Sequence, residues 1–495
     1  MDLSDSRRLE PYIQVSTQNS CSPKYCVIGA GAAGLTVCRA FLQHGIPLDC
    51  YEREGDVGGI FHYGNPNSSV YRSTHLVSSK KTSEYPDFPM PADYPPCPHH
   101  GLVLAYFRSY ARHFGLYGKI QFHTGIESIE SSTSGWRIQL SNGIEKYYRG
   151  VVIANGHHWD PVLPVFEGAF SGEMLHSRQY KTPEIFAGKR VLVVGGGNSA
   201  CDIASDAVLM ASRVYLSIRH PVHFLPKYSF GRPGDATMQT LIRWGVPLWV
   251  LRMLAGLRAS VINGRPQDLG LPVPDQRIFD SNVTVSTLVP FHVQQGDITV
   301  KPGVATLAGQ QVQFTDGSEE PIDMIVCATG FKASFPFINL NELNPQNGTP
   351  QLFLHQFHPH RDDISVVGLL QAATGGNWPL MHYQAQLQAR YLAAVERGAD
   401  LEWFRQLRTQ PALDLKCGFE IQGLARHQFT VESVRFERRL TKLIRDFDKR
   451  YGLPKLNGQI AASVDLGLDS SVPVDGPRKC TKETGSHKSR RRSVI

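Results

Sequence analysis

Two copies of a glycine-rich turn, each between a strand-like apolar run and a helical run, constrain the fold of this chain most. The first copy, YCVIGAGAAG followed by LTVCRAFLQHG, places Gly29, Gly31 and Gly34 in the pattern G-x-G-x-x-G. These glycines allow a tight turn, close approach of the backbone to a pyrophosphate, and close packing of helix on strand. A turn that merely joins two elements is the alternative. Glu52 ends the next apolar run, 23 residues after Gly29, and favours dinucleotide binding because an acid there accepts hydrogen bonds from ribose hydroxyls.

The second copy, KRVLVVGGGNSACDIASDA, differs from the first in its acceptor for the ribose. Gly195, Gly197 and Ala200 form G-x-G-x-x-A, and Ser217 stands 22 residues after Gly195, where the first copy has its acid. A carboxylate there would repel a 2′-phosphate, whereas a hydroxyl and the guanidinium of the following Arg219 can bind it. This turn therefore favours NADP(H) over NAD(H), the alternative being that Arg219 is only a surface charge.

Together the two turns predict an α/β chain with two Rossmann-like dinucleotide-binding domains. One carries a ribose-binding acid and the other does not, which indicates an electron path from NADPH to a flavin. Side chains themselves offer little redox chemistry, so we expect a flavoprotein that uses NADPH.

Composition and charge exclude several other classes. Hydrophobic residues make up 41% of the 495 positions, as expected for globular domains, and the nine cysteines include no C-x-x-C. The formal net charge is +7, but residues 478–495 hold seven basic residues against one glutamate. The rest of the chain is therefore nearly neutral, so we expect a solvated basic tail and no nucleic-acid partner.

A set of motifs beyond the glycine turns resembles the flavin-containing monooxygenases, the class B single-component enzymes. The segment FSGEMLHSRQY contains Phe170, Gly172, His176 and Tyr180 in the pattern F-x-G-x-x-x-H-x-x-x-Y. The segments EREGDVGGIFHYG, VYRSTHLVSSKKTSEYPDFPMP, VCATGF and NWPLMHYQAQLQARY are similar to four further family segments. The resemblance covers about residues 24–395.

The resemblance implies a split FAD domain with the NADP domain inserted into it. We expect a disordered arm at 1–21, the two parts of the FAD domain at 22–164 and 322–450, the NADP domain at 165–321 and a flexible basic tail at 451–495. A helical insertion is expected at about 228–290 within the NADP domain. Its apolar positions could suit a membrane surface, but three arginines and the short apolar runs favour packing against the protein.

The resemblance also implies a reaction and a set of site residues. NADPH reduces FAD, O₂ forms a C4a-(hydro)peroxyflavin, and one oxygen atom passes to a small-molecule substrate, at nitrogen or sulfur. The expected FAD contacts are Gly29, Gly31, Ala33, Gly34, Glu52, Gly59, Ile60, Phe61, Val77 and Ser78. The expected NADP contacts are Gly195, Gly197, Asn198, Ser199, Ala200, Ser217 and Arg219. His176 and Tyr180 are linker candidates, favoured as a hinge or domain-fixing hydrogen bond over direct catalysis.

Two positions depart from the family pattern. Val77 replaces an asparagine that approaches the flavin, and valine cannot donate a hydrogen bond to a peroxide oxygen. Either Ser78 or a neighbour takes that part, or the enzyme leaks hydrogen peroxide. His382 replaces the acid of the segment P-x-x-E.

Three alternatives stay open. A Baeyer–Villiger monooxygenase would oxidise a ketone, but the commonest type carries tryptophan in place of Tyr180. A disulfide oxidoreductase would need a cysteine pair near the flavin, and the closest pair, Cys21 and Cys26, precedes the first strand expected from the sequence. Val77 keeps open an NADPH oxidase that releases hydrogen peroxide, or a non-catalytic FAD-binding protein.

Further expectations concern location and partners. The N-terminal sequence shows no secretory signal, no apolar run reaches about 18 residues, and the sequence ends neither in S-K-L nor in an apolar anchor. We therefore expect a cytoplasmic protein with no integral membrane contact, whose partners are a small-molecule substrate and O₂. A homo-oligomer is compatible with the sequence. No metal site is expected, and HPH at 358–360 is interpreted as a polar loop.

Overall fold

A computed structural model of the chain describes residues 22–133, 135–280, 283–410, 414–416 and 428–452. All of them belong to one of the two units into which the chain divides, Met1–Leu456. The other unit, Asn457–Ile495, lies outside the described residues, as do the arm predicted at 1–21 and almost all of the predicted basic tail.

The first part of the chain, up to the linker, alternates strands and helices. Its elements are β1 (Ser22–Ile28), α1 (Ala32–Gln43), β2 (Leu48–Tyr51), α2 (Lys80–Ser83), α3 (His100–His113), β3 (Ile120–Gln121), β4 (Ile126–Ser132), β5 (Gly135–Leu140), β6 (Glu145–Ile153) and β7 (Asp160–Pro161). Short 3₁₀ helices lie at Gly59–Phe61 and Leu116–Lys119.

The middle part begins after β7 and contains the second glycine turn. Its elements are β8 (Glu167–Phe170), β9 (Glu173–His176), β10 (Arg190–Val194), α4 (Asn198–Val208), β11 (Arg213–Ser217), β12 (Phe224–Leu225), β13 (Tyr228–Ser229), β14 (Arg232–Pro233), α5 (Gly234–Arg243), α6 (Leu248–Asn263), β15 (Thr284–Val285), α7 (Leu288–Gln295), β16 (Ile298–Lys301), β17 (Val304–Gly309), β18 (Gln311–Phe314), β19 (Glu319–Pro321) and β20 (Met324–Cys327). Two 3₁₀ helices lie at Pro183–Phe186 and Pro266–Leu269.

The last part returns to the first and ends in long helices. Its elements are β21 (Phe331–Lys332), β22 (Pro345–Gln346), β23 (Thr349–Pro350), β24 (Ile364–Val366), β25 (Gln371–Ala372), α8 (Trp378–Glu396), α9 (Glu402–Arg408), β26 (Thr430–Val431) and α10 (Ser433–Tyr451), with a 3₁₀ helix at Leu340–Leu343.

The first sheet is built from two separate stretches of the chain. Its strand order is β3-β2-β1-β6-β5-β4, and β24 pairs with β6 in parallel, with Val366 opposite Ile153. Four neighbouring strands, β3, β2, β1 and β6, run parallel. Burial on both faces explains the apolar runs of β1 and of the second half of β6. Because β24 follows the whole middle part in sequence, this sheet belongs to a split domain.

The second sheet is entirely parallel, in the order β16-β11-β10-β20-β9. Strand β20 was predicted to belong to the second part of the FAD domain, which was placed from residue 322, and this assignment is wrong. Val326 of β20 pairs with Val193 of β10 on one side and with Leu175 of β9 on the other. Strand β20 belongs to the second sheet because it has apolar neighbouring strands on both sides. The chain therefore leaves this sheet only after Cys327.

Helix α1 packs against β1 and β2 of the first sheet. Helix α8 packs against α1 and α10, and Phe41, Leu387, Tyr391 and Leu443 are among the buried residues of this core. No helix in the described part of the chain combines the length and the apolar content needed to cross a membrane.

The helical insertion has one buried face and one exposed face. Leu251 and Ala255 of α6 are buried, whereas Trp249 and Leu257 are 67% and 61% exposed. The prediction that the apolar positions of this segment pack against the protein is thus right for one face and wrong for the other. The arginines that suggested packing each contact another part of the protein. Arg252 pairs with Asp280, Arg258 donates to the Pro226 carbonyl, and Arg243 pairs with Glu437 at the surface.

The cysteines of the described residues are free thiols. Cys26 was predicted to precede the first strand and instead lies within β1, where it is fully buried. Its proposed partner, Cys21, lies outside the described residues. Burial raises the pKa of Cys26 well above its ordinary value, so it is a structural rather than a reactive thiol.

Candidate active site

One cleft of about 1600 Å³ joins the carboxyl ends of the central strands of both sheets. Of the residues predicted to contact FAD, it is lined by Gly29, Gly31, Ala33, Glu52, Gly59, Ile60, Phe61, Val77 and Ser78. Of those predicted to contact NADP, it is lined by Gly195, Gly197, Asn198, Ser199, Ser217 and Arg219. Gly34, Ala200, His176 and Tyr180 are not among its lining residues. Two turns from distant parts of the sequence therefore open into one space.

The first turn leaves no room for side chains. Gly29 has φ of +98°, and a Cβ atom there would lie 2.7 Å from the carbonyl oxygen of Ala154. A Cβ at Gly34 would lie only 1.8 Å from the carbonyl oxygen of Gly29, which explains why this glycine packs helix on strand instead of lining the cleft. Gly31 is the N-cap of α1, so the first amides of that helix face the cleft. This glycine-lined cradle at a helix N-terminus fits the pyrophosphate of a dinucleotide.

Glu52 is fixed by the backbone of the same turn. Its Oε2 accepts a hydrogen bond from the Ala30 amide at 2.7 Å, and its Oε1 accepts one from the Glu54 amide at 3.0 Å. Burial raises the pKa of Glu52 above its ordinary value, against the lowering effect of these two amides. Because a carboxylate has about four acceptor positions, capacity remains for ribose hydroxyls.

The segment after Glu52 closes over the first turn. The Gly58 amide donates to the Ala30 carbonyl at 3.1 Å, and a Cβ at Gly59 would lie 3.2 Å from the Gly31 Cα. Phe61 packs edge-on against Trp378 with ring centroids 5.6 Å apart. An aromatic ring at this position thus connects the flavin segment to the start of α8.

The second turn repeats the geometry of the first. Gly195 has φ of +139°, and a Cβ there would lie 2.4 Å from the carbonyl oxygen of Ala328. Ala200 is fully buried on α4, as its place in the motif requires. The side-chain oxygen of Asn198 accepts from the Val285 amide at 2.8 Å. Asn198 therefore fixes the turn to β15, in addition to its predicted NADP contact.

Ser217 and Arg219 lie in two different environments. Ser217 is buried, and its hydroxyl donates to the Pro302 carbonyl at 2.6 Å. Its proton is therefore engaged, which leaves no donor for a phosphate in this conformation. The Arg219 side chain is exposed on the cleft, with its Nε 3.1 Å from Nε2 of His220. Of the two, Arg219 retains the donors that a 2′-phosphate needs.

The two linker residues, His176 and Tyr180, form hydrogen bonds with groups in the middle part of the chain or directly after it. His176 Nε2 lies 3.1 Å from the Gly330 carbonyl, while its Nδ1 accepts from the Arg178 amide. Tyr180 is fully buried, stacks on Phe186 and donates to Asp206 on α4 at 2.7 Å. Neither side chain lies on the cleft, and the domain-fixing role stays a prediction.

Val77 and Ser78 lie on the cleft wall next to the helical insertion. Val77 is 39% exposed, and the Ser78 hydroxyl lies 2.8 Å from that of Ser83. The next residue, Ser79, donates from its amide and hydroxyl to Asp235 of α5. The insertion is thereby attached directly to the segment predicted to face the flavin.

Sequence reasoning missed the hydrogen bonds between Tyr71 and helix α4. The Tyr71 hydroxyl donates to Asp202 at 2.7 Å, and one turn later Asp206 accepts from Ser73 as well as from Tyr180. Two acids spaced four residues apart on the helix after a nucleotide turn were visible in the sequence. Their partners were not, because Tyr71 lies 131 positions from Asp202.

Asp202 gives the domain contact a pH dependence. Burial raises its pKa to about 6, and the Tyr71 hydroxyl partly opposes this shift. A raised carboxyl pKa stabilises the folded state fully at low pH, and this contribution is lost as pH rises through about 6. We expect Asp202→Asn to gain stability relative to the parent as pH rises, by about 1 kcal/mol between pH 5 and 7. Calorimetric unfolding of both proteins across this range measures the difference, and a constant difference would contradict it.

The architecture defines the class: a flavoprotein with two dinucleotide-binding folds, one inserted into the other, that share a single cleft. The model of the flavin-binding monooxygenase-like family matches residues 22–402, and the chain therefore belongs to that family. Dimethylaniline monooxygenase [N-oxide-forming] 2 of Rattus norvegicus is 34% identical over 399 residues, covering 76% of this chain and 73% of the relative.

Solved structures share the fold. S-allyl-L-cysteine S-oxygenase from Allium sativum is 19% identical, with a TM-score of 0.59 over 87% of this chain and 92% of the other. The OTEMO complex with FAD and NADP is 17% identical, with a TM-score of 0.59 over 77% and 86% of the two chains. The protein is an FAD- and NADPH-dependent monooxygenase, as the resemblance implied.

Proposed function

We propose that this enzyme transfers one oxygen atom to a nitrogen or sulfur atom of a small molecule. The observation that carries the proposal is the common cleft, which is lined by both nucleotide turns and by the apolar side chains of Leu225, Met238 and Phe279. Nitrogen and sulfur are soft nucleophiles that need no catalytic base to attack an electrophilic oxygen. The N-oxide-forming name of the 34% identical relative supports this chemistry over ketone oxidation.

The chain's own residues bind, orient and exclude water. The amides after Gly31 would hold the FAD pyrophosphate, and Glu52 its ribose hydroxyls. The amides after Gly197 and the guanidinium of Arg219 would hold NADPH. Bound FAD would supply the redox chemistry, which is the acceptance of two electrons from NADPH and the reaction with O₂. The apolar side chains of Leu225, Met238 and Phe279, which line the same cleft as Val77, would exclude water from the reacting atoms.

The overall reaction balances without a further reactant. NADPH, a proton, O₂ and a thioether give NADP⁺, water and a sulfoxide. NADPH provides two electrons, the thioether provides two, and the four electrons reduce O₂ to one water and one sulfoxide oxygen.

Product analysis tests the proposal. FAD-loaded protein is incubated with NADPH, in the presence of catalase, with methyl phenyl sulfide, N,N-dimethylaniline or cyclohexanone. We expect NADPH-dependent sulfoxide or N-oxide, and catalase excludes oxidation by released peroxide. A lactone as the main product would overturn the proposal in favour of Baeyer–Villiger chemistry.

Val77 supports a second candidate function, an NADPH oxidase that releases hydrogen peroxide. Its side chain is exposed to the cleft and offers no hydrogen-bond donor. We expect Val77→Asn to lower peroxide release per NADPH consumed by about five- to tenfold, the value of one net hydrogen bond of about 1 to 1.4 kcal/mol. Val77→Ala is the matched control, because it changes size without adding a donor. Equal peroxide yields from all three proteins would remove this position from control of the oxygen reaction.

We also propose a cytoplasmic location. The six described cysteines are buried and unpaired, which suits a reducing compartment. Fractionation of cells that produce the protein would test this.

A further inference from the structure

Two cationic side chains from the helical insertion line the cleft. Lys227 stands between β12 and β13, and Arg258 projects from α6. Within the residues that the structure describes, no carboxylate oxygen lies within 4.0 Å of either cation. Their neighbours on the cleft wall include the buried apolar side chains of Leu225, Met238 and Phe279.

The guanidinium of Arg258 is held in place by two neighbouring groups. It donates to the Pro226 carbonyl and packs on Gly234, where an added Cβ would lie 1.9 Å from Nη2. Its Nε is buried and has no hydrogen-bond partner among the described residues. Burial lowers the pKa of Arg258. Glycine at the first position of α5 therefore leaves the space that this guanidinium fills.

The nearby acid, Asp235, is engaged elsewhere. Its Oδ2 accepts from the Ser79 amide at 2.7 Å, from the Ser79 hydroxyl at 3.0 Å and from the Thr82 hydroxyl at 2.5 Å. Lys227 is in electrostatic range of Asp202, but the carboxylate of that residue is bound by Tyr71. Neither acid forms a close ion pair with the two cations, and uncompensated charge on an apolar wall is costly unless an anion binds.

We propose that Lys227 and Arg258 bind a carboxylate of the substrate, so that the enzyme oxygenates small apolar acids that carry a nitrogen or sulfur nucleophile. The inference rests on the proposed function. A phosphate of NADPH is the other source of an anion. The NADPH phosphates have their own expected donors at the start of α4 and at Arg219, whereas the two cations belong to the insertion attached to Ser79, next to Val77. This placement favours the substrate carboxylate.

A matched pair of thioethers tests the proposal: 3-(methylthio)propanoate and its methyl ester, which differ in charge at the carboxyl group. Holoenzyme oxygenates each with saturating NADPH, and kcat/KM is compared. We expect the parent to prefer the acid, and Lys227→Gln and Arg258→Gln each to reduce that preference by about tenfold or more. Equal kcat/KM values for acid and ester in the parent would overturn the proposal.

Two further variants separate charge from folding. Gly234→Ala keeps both cations but should displace the Arg258 guanidinium, and we expect it to reduce the preference for the acid even if Arg258→Gln fails to fold. Lys332→Gln is the matched control, since Lys332 also lines the cleft but lies 3.6 Å from Asp160. Its acid-to-ester preference should equal that of the parent, and a loss equal to that of Lys227→Gln would overturn the assignment.

Two measurements separate this proposal from the NADPH alternative and from the proposed function. The first measurement is the rate of anaerobic flavin reduction at increasing NADPH concentration. Weaker NADPH binding in Lys227→Gln and Arg258→Gln, without a change in the preference for the acid, would overturn the substrate role. Spectral titration of the oxidised holoenzyme with the acid and the ester reports binding without turnover. If the enzyme binds the acid selectively but does not oxygenate it, the anion site is supported and the proposed function fails.

Discussion

Replacing Gly34 by alanine should abolish FAD binding and leave a colourless, destabilised protein. The new Cβ would lie 1.8 Å from the carbonyl oxygen of Gly29 and 2.8 Å from its carbonyl carbon. Both atoms are backbone, so no side chain can rotate away, and α1 must move off the turn that follows β1. The amides that would hold the pyrophosphate then separate. We expect a loss of about 3 kcal/mol in stability, measured by denaturant unfolding, and loss of the flavin absorbance from the purified protein.

Gly118→Ala is the matched control for this substitution. Nothing lies within 4 Å of a Cβ added there, and the position has no positive φ. This variant should retain flavin and unfold within about 0.5 kcal/mol of the parent. If Gly34→Ala bound FAD as tightly as Gly118→Ala, the first turn would not be the flavin site.

Replacing Arg219 by alanine should remove most of the preference for NADPH. A charge-assisted contact to the 2′-phosphate contributes about 1.5 to 3 kcal/mol, which corresponds to NADPH binding that is about 13- to 160-fold weaker. NADH lacks this phosphate and should change little. The measurement is the concentration dependence of anaerobic flavin reduction by each nucleotide.

Ser217→Ala provides the comparison on the same strand end. Its hydroxyl donates to the Pro302 carbonyl, so its removal should weaken NADPH and NADH equally and only slightly. Equal losses of both nucleotides in Arg219→Ala would mean that Arg219 is a surface charge. A selective NADPH loss in Ser217→Ala would mean that the serine turns to the phosphate when the nucleotide binds.

Local sequence patterns predicted the two nucleotide turns well because the chemistry of each lies within about 25 residues. Gly29, Gly34 and Gly195 each lie so close to a backbone atom that only glycine fits. The residue type and the spacing in the sequence therefore reveal this requirement. The split domain also followed from the resemblance. The predicted boundary failed at β20 because VCATG resembles the end of a strand of either sheet, and only pairing with β10 and β9 assigns it to the second.

The sequence alone determined the fold class, the two cofactors and the family, since these depend on short motifs whose function is set by local geometry. The tertiary structure decided which side chains meet across the cleft. Tyr71 reaches Asp202, Ser79 reaches Asp235, and Arg258 fills the space beside Gly234, although each pair is separated by 24 to 156 residues. Such contacts depend on how the inserted domain packs on the split one, and no periodicity or spacing within either partner's own segment specifies them.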